Sequence, residues 1–227
     1  MLVYASNGKG TNKSVDNETG PDYDIMFSTA SDAVWPFPDN PYCQWQLPAP
    51  LASVYADKDK DPDREPAVAT DGSTWIAVWS SAVSNPQPSM GLGPDYDILF
   101  ASSKDQGKTW SAPLALNSNA VGDLGDDISP TIATNGTEWV VLWSSNDDLN
   151  GTIGTDYDIL MSSSSDQGKT WTPPAALHNN AGSDKGHDTS PRLATDGKQW
   201  VAVWESSEDG GTGPDYDILT ARFSLSP

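Results

Sequence analysis

Two octets of this chain, Ser103 to Trp110 (SKDQGKTW) and Ser164 to Trp171 (SSDQGKTW), share the pattern S-x-D-x-G-x-T-W at a separation of 61 residues. A repeat of that period predicts supersecondary units that bury their faces by stacking on one another. The repetition runs well past the octets. Gly93 to Leu116 matches Gly154 to Leu177 at most positions, and the opening GPDYDI recurs at Gly20 and Gly213. A second block precedes these, as Glu65 to Ser81, Ser129 to Ser145 and Ser190 to Ser206, and Val3 to Ser6 matches its tail.

Each unit reads as short strands. The first, typified by Thr131 to Thr134, runs into an Asn-Gly or Asp-Gly turn at Asp71, Asn135 or Asp196, a strong hairpin signal. The second is Trp- and Val-rich, as in Trp139 to Trp143. A third spans Asp156 to Ser162, and a fourth is expected to start at the octet's Trp. No window shows helical periodicity, so the chain is expected to be all β. In the second strand Trp75, Ala77 and Trp79 alternate with Ile76 and Val78, which places apolar side chains on both faces. Both faces must then be covered, as they are between two blades of a propeller. Trp75, Trp79, Trp139, Trp143, Trp200 and Trp204 are accordingly read as packing residues.

The octet resembles the Asp-box, or BNR repeat, of the sialidase-like β-propellers. The resemblance implies a propeller, or an arc of one, of about four four-stranded antiparallel blades with Asp-box hairpins between third and fourth strands. The approximate blades are 1–60, 61–124, 125–186 and 187–227, the first and last incomplete, within one repeat domain. It also implies structural roles for Ser103, Asp105, Gly107, Thr109 and Trp110, and for Ser164, Asp166, Gly168, Thr170 and Trp171. The residues themselves agree, because Asp105 and Asp166 can form Asx-type turns and Gly107 and Gly168 permit positive φ. The first unit has lost its box: Asp32 leads into a Pro- and aromatic-rich insert, and strand-like sequence resumes at Trp45. Closure is open between a four-bladed ring, an arc of a longer protein, and a homo-oligomer that completes the ring.

The net charge of −20 comes from 27 Asp and five Glu against 12 Lys and Arg. Such a surface disfavours nucleic acid and anionic membranes as partners. The single cysteine, Cys43, excludes an internal disulfide, and no apolar run is long enough to insert in a membrane. Strand-like sequence from Leu2 makes the expectation one of no signal peptide in this chain, while the resemblance implies an extracellular or cell-surface parent protein.

Acid collects on the loops after second and fourth strands: Asp95 with Asp97, Asp156 with Asp158, Asp215 with Asp217, and Asp63, Asp126, Asp127 and Asp188 between units. In each Asp-Tyr-Asp the carboxylates stand two residues apart and point the same way from a strand. Repeated carboxylates on Gly-rich loops suit calcium, and the candidate ligands are Asp95, Asp97, Asp127, Asp156, Asp158, Asp188, Asp215 and Asp217. The competing reading is that these aspartates hydrogen-bond loop amides. His178 and His187 lack a second ligand set for zinc and are expected to be solvated loop residues.

Sialidases, as the family resemblance implies, hold the substrate carboxylate with three arginines, and Arg64-Glu65-Pro66 falls where the first would lie. Only Arg64, Arg192 and Arg222 exist in the chain. No catalytic set is assigned beyond Arg64 as a substrate-carboxylate candidate. The expected function is a non-catalytic extracellular recognition scaffold for glycan or protein, with calcium as the candidate cofactor. The alternatives are an exo-α-sialidase or a fragment of one, and a structural repeat fragment without ligand.

Overall fold

The computed structural model describes residues 1–6, 23–28, 49–51, 62–82, 92, 94–208 and 215–225. Cys43, Asp32 and Trp45 lie outside them. The described residues form four antiparallel sheets and contain no helix long and apolar enough to cross a membrane. The first sheet holds β1 (Leu2–Ser6), β2 (Asp24–Ser28) and β3 (Ala49–Pro50). The second is β4 (Asp63–Thr70), β5 (Trp75–Ala82), β6 (Tyr96–Ser103) and β7 (Leu114–Ala115). The third is β8 (Asp127–Thr134), β9 (Trp139–Ser145), β10 (Asp158–Ser164) and β11 (Ala175–Ala176). The last is β12 (Asp188–Thr195), β13 (Trp200–Ser206) and β14 (Asp217–Phe223). Strands follow one another in chain order across every sheet, the up-and-down pattern of a propeller blade.

The sheets form an open arc. β4, β8 and β12 lie side by side, and β1 lies against β4, whereas the last sheet has no substantial contact with the first among the described residues. Three hydrophobic cores sit between successive sheets. Ile76 and Val78 of β5 pack with Ile98 and Phe100 against Trp139, Val141 and Trp143 of β9. The alternate residues Ala77 and Trp79 face the other way, onto Ile25 and Leu51 of the first sheet. Val140 and Leu142 of β9 likewise turn to Trp200, Ala202 and Trp204 of β13. Of the six tryptophans read as packing residues, Trp79, Trp139, Trp143, Trp200 and Trp204 are buried, while Trp75 is only partly so.

The third-to-fourth strand hairpins carry the octets. Asp166 accepts from the Thr170 amide (2.9 Å), the Thr170 hydroxyl (2.7 Å) and the Ser164 hydroxyl (2.8 Å), and Ser164 Oγ in turn accepts from the Gly168 amide (2.9 Å). Asp105, Thr109, Ser103 and Gly107 repeat this net. Gln167 and Gly168 both adopt positive φ (65° and 75°), so the turn uses two left-handed residues in succession, as a tight hairpin requires. The bonds hold Asp105 and Asp166 down at about 2, through Thr109 and Thr170 first and then Ser103 and Ser164. The octet tryptophans reach the preceding blade, with Trp110 edge-on to Phe27 and Trp171 edge-on to Phe100.

The fourth strands do not start at these tryptophans as expected. A single backbone bond follows each, Ser111 N to Ser102 O and Thr172 N to Ser163 O. Pro113, and Pro173 with Pro174, then remove donors, so the ladder resumes only at Leu114 and Ala175.

Trp143 is fully buried, and Trp143→Ala should cost roughly 3–5 kcal/mol of unfolding free energy, measurable by chemical denaturation. Asp166 is an ionised acceptor whose folded value lies below the unfolded carboxylate value of about 4. Its stabilisation is therefore present above pH 4 and lost as pH falls towards 2. The melting-temperature gap between the wild type and Asp166→Asn should shrink over that window.

Candidate functional site

At the end of the sheets opposite the octets, the blade junctions gather carboxylates. Each first strand carries a bulge there: Asp127 pairs with Ser145 and Thr131 with Leu142, one residue more on β8 than on β9, and β4 and β12 do the same. The bulged residues Glu65, Ser129 and Ser190 take positive φ (53°, 55° and 57°), each just before a proline. This extra residue sets the facing of Asp127 and Asp188 independently of the strand that follows, and both are buried at the junction with the preceding sheet.

Between the second and third sheets, Asn117 Nδ2 donates to Asp97 Oδ1 (3.2 Å) and Asp127 Oδ2 (2.8 Å), tying one sheet to the next. Asn119 Nδ2 donates to Asp147 Oδ2 (2.8 Å) and to Asp123. Both Asp95 carboxylate oxygens, Asn119 Oδ1, Asp123 Oδ1 and Asp127 Oδ1 are buried without a hydrogen-bond partner. Donor atoms of Asp95, Asp97 and Asp123 lie within 4.8 Å of one another.

The next junction repeats this cage 61 positions later, with Asp156, Asp158, His178, Asn180, Asp184, Asp188 and Glu208 in the corresponding places. Asn180 Nδ2 donates to Asp184 Oδ2 (2.6 Å) and Glu208 Oε2 (3.3 Å). Asp156 Oδ2, Asp184 Oδ1 and both oxygens of Asp158 have no hydrogen-bond partner, and Asp158 is fully buried. Asp158, His178, Asp184 and Asp188 each offer a donor atom within 4.8 Å of the others. His178 is thus a member of a four-residue donor set rather than a solvated loop residue. Sequence order hid this, because its partners arrive from β10, the interblade loop and β12.

Electrostatics follow from the crowding. Burial, then Asp95 and Asp147, pushes Asp123 up to about 7, and burial, then Asp184 and Asp156, pushes Asp158 up to about 7. Asp127 is raised well above the usual range, burial again the largest cause. Carboxylates desolvated together resist ionisation unless a cation compensates them. Each cluster could hold a metal ion.

Of the candidate ligands, Asp95, Asp97 and Asp127 meet in the first cage and Asp156, Asp158 and Asp188 in the second. Asp215 is exposed and Asp217, at the start of β14, partly so, and neither belongs to a donor cluster among the described residues. Asp123, Asp184, Asn117, Asn119 and Asn180 were not singled out by sequence reasoning. Their common offset of 61 residues was the available signal. Asp126 and His187 are a further repeated pair, accepting from the amides of Tyr96 (3.3 Å) and Tyr157 (3.1 Å).

The three arginines have different surroundings. The Arg64 guanidinium lies over the Tyr96 ring at 5.5 Å. Arg192 Nη1 donates to Pro191 O (2.8 Å) and lines a cavity of about 460 Å³ with Glu65, Ser129 and Ser190. Arg222 sits at the far end of β14, near Asp196, whose carboxyl is held low by the Gln199 and Lys198 amides first and by Arg222 only in addition.

No family model and no curated protein sequence matches this chain. Among solved structures it resembles a Hadza microbial sialidase (TM-score 0.58, 19% identity, covering 88% of this chain and 38% of that one). It also resembles a Trypanosoma rangeli sialidase (0.52, 14%, 95% and 34%). A third is the GH93 α-L-arabinofuranosidase of Fusarium graminearum (0.52, 19%, 91% and 56%). The fold is that of the β-propeller glycoside hydrolases. The chain spans 34% to 56% of the length of these three structures.

Gly186 approaches the backbone of Glu208 so closely that a Cβ would collide with its N and Cα, and Gly125 meets Asp147 in the same way. Gly186→Ala should therefore cost about 1–3 kcal/mol by forcing the two loops of the second cage apart. Thermal unfolding checks this against Gly122→Ala, where a Cβ meets nothing closer than 3.8 Å.

Proposed function

We propose that residues 1–227 form one non-catalytic recognition domain of the sialidase-like propeller type, extracellular in its parent protein, that binds glycan in a calcium-dependent way. One observation carries the reading. A cavity of about 680 Å³ opens beside the first cage and shares Asn119, Asp123 and Asp147 with it. That volume suits a small ligand. Its wall combines the amides of Asn146 and Asn150 with the exposed apolar side chains of Val121 and Leu124. Hydroxyl-rich rings with one apolar face match such a lining.

Calcium fits the first cage because every candidate donor there is oxygen, from carboxylates and the Asn119 amide, on loops. A bound ion would draw Asn119, Asp123 and Asp147 together and so shape the cavity wall. The neighbouring propellers include a sialidase holding 2,3-difluorosialic acid and an arabinofuranosidase holding arabinobiose, which supports a saccharide ligand. Arg222 lies towards the octet end of the last sheet and Arg64 at the opposite end of the second, which supports binding over arginine-triad hydrolysis. On the uncovered side of the last sheet, Ile218 and Val203 are exposed, and a further blade or a second copy of the chain would seat there.

An array of sialylated and arabinose-containing oligosaccharides, probed with calcium and with chelator, tests this reading. Calcium-dependent binding that Asp123→Asn abolishes, without turnover of a fluorogenic sialoside, is the expected result. Sialoside turnover that disappears in Arg64→Ala would establish the hydrolase alternative instead. Absence of both binding and turnover would leave the structural-fragment reading.

A further inference from the structure

The two cages differ at one decisive position, Asn117 in the first and His178 in the second. Asn117 is satisfied: its amide donates to Asp97 and Asp127, and its Oδ1 accepts from the Ile98 amide at 3.2 Å. His178 is not. The Asn180 amide nitrogen is committed to two carboxylates, so its oxygen is the atom that meets His178 Nδ1, at 2.6 Å. An amide oxygen only accepts, so Nδ1 carries the proton. In the neutral ring Nε2 then presents a bare lone pair.

That lone pair points into the carboxylates. Nε2 lies 2.9 Å from Asp188 Oδ2 and 3.8 Å from Asp158 Oδ1, and the geometry of a hydrogen bond is missing. Both oxygens of the fully buried Asp158 lack a hydrogen-bond partner as well. A lone pair facing buried carboxylates is repulsive, and either a proton on Nε2 or a metal ion between the groups relieves it. The ring is also held in place, stacked on Trp204 at 5.6 Å with the planes 7° apart. A histidine whose distal nitrogen donates to an outer partner, with the near nitrogen turned to carboxylates, is the arrangement that orients an imidazole for metal ligation.

We propose that the second cage is a separate site for a divalent first-row transition ion, ligated by His178 Nε2 with Asp158, Asp184 and Asp188. Imidazole nitrogen favours such ions over calcium, whereas the all-oxygen first cage favours calcium. The donor atoms, within 4.8 Å of one another, fit around an ion with bonds of about 2.0–2.2 Å. This inference rests on reading the interblade cages as metal sites. It adds that the repeat has diverged into two metal specificities.

Isothermal titration of the full chain with zinc, in buffer saturating in calcium, tests it. The wild type should bind one zinc that His178→Asn, which installs the residue of the first cage, weakens by more than the roughly 10- to 100-fold typical of losing an outer-shell partner. Calcium binding should persist in that variant. Should His178→Asn not fold, Asp184→Asn is judged by the same criterion. Unchanged zinc affinity in the variant overturns the inference and leaves the calcium reading intact. A wild type that binds calcium but no zinc also overturns it and makes His178 an imidazolium paired with Asp188. A wild type that binds neither ion defeats both readings.

Discussion

A sheet whose second strand carries large apolar side chains on both faces has no stable existence alone, and that constraint organises this molecule. β9 is the clearest case. Trp139, Val141 and Trp143 face one neighbour and Val140 and Leu142 the other, so one seven-residue strand contributes to two cores. Each blade is therefore held by its neighbours more than by itself, as in other repeat architectures. The octet hairpin reinforces this dependence, since its tryptophan is spent on the preceding blade. The last sheet shows the converse, with Val203 and Ile218 on a face that nothing in the described arc covers.

Stacking also creates the acidic cages. The second and third blades each bring an Asp-Tyr-Asp strand end to a junction where Asp127 of β8 or Asp188 of β12 meets it, so each described cage lies where two blades meet. Asp97 and Asp127 belong to different sheets, and Asn117 bonds to both. An ion in such a place would bridge two blades at the end remote from the octets, which is where the apolar contacts give way to loops. The clustered carboxylates thus belong to the way the blades assemble. The cavity beside the first cage inherits its wall from the same residues.

Much of this was legible in the sequence. The period and the alternation in β5 and β9 gave blades stacked on both faces, and the Asp-Gly and Asn-Gly turns gave the hairpins. What failed were features set by backbone hydrogen-bond supply or by contacts across units. The late start of β7 and β11 comes from prolines that cannot donate, a local rule overridden by the attraction of the tryptophan as a strand residue. Asp123, Asp184 and His178 escaped because the groups they meet arrive from other strands and loops, some of the same blade and some of the next. Aligning all positions at an offset of 61 residues, rather than the motif alone, would have exposed Asn117 opposite His178.

The bulges show how the unfavourable parts are tolerated. Glu65, Ser129 and Ser190 hold a left-handed backbone before proline, a combination that costs roughly 1–3 kcal/mol at each site. Carboxylates buried beside them add a further penalty. Neither would persist in an isolated blade, yet both recur at equivalent places, where the inner strands β4, β8 and β12 are clamped side by side. The Glu65 carboxylate even accepts the Ser129 amide of the next blade at 2.6 Å. The apolar cores on either side over-determine these strands, so the backbone can be bent to aim Asp127 and Asp188 at a junction. Energy from nonspecific packing is thereby converted into a specific, repeated arrangement of charge, and under the metal-site proposal a single change from amide to imidazole would alter which ion that arrangement prefers.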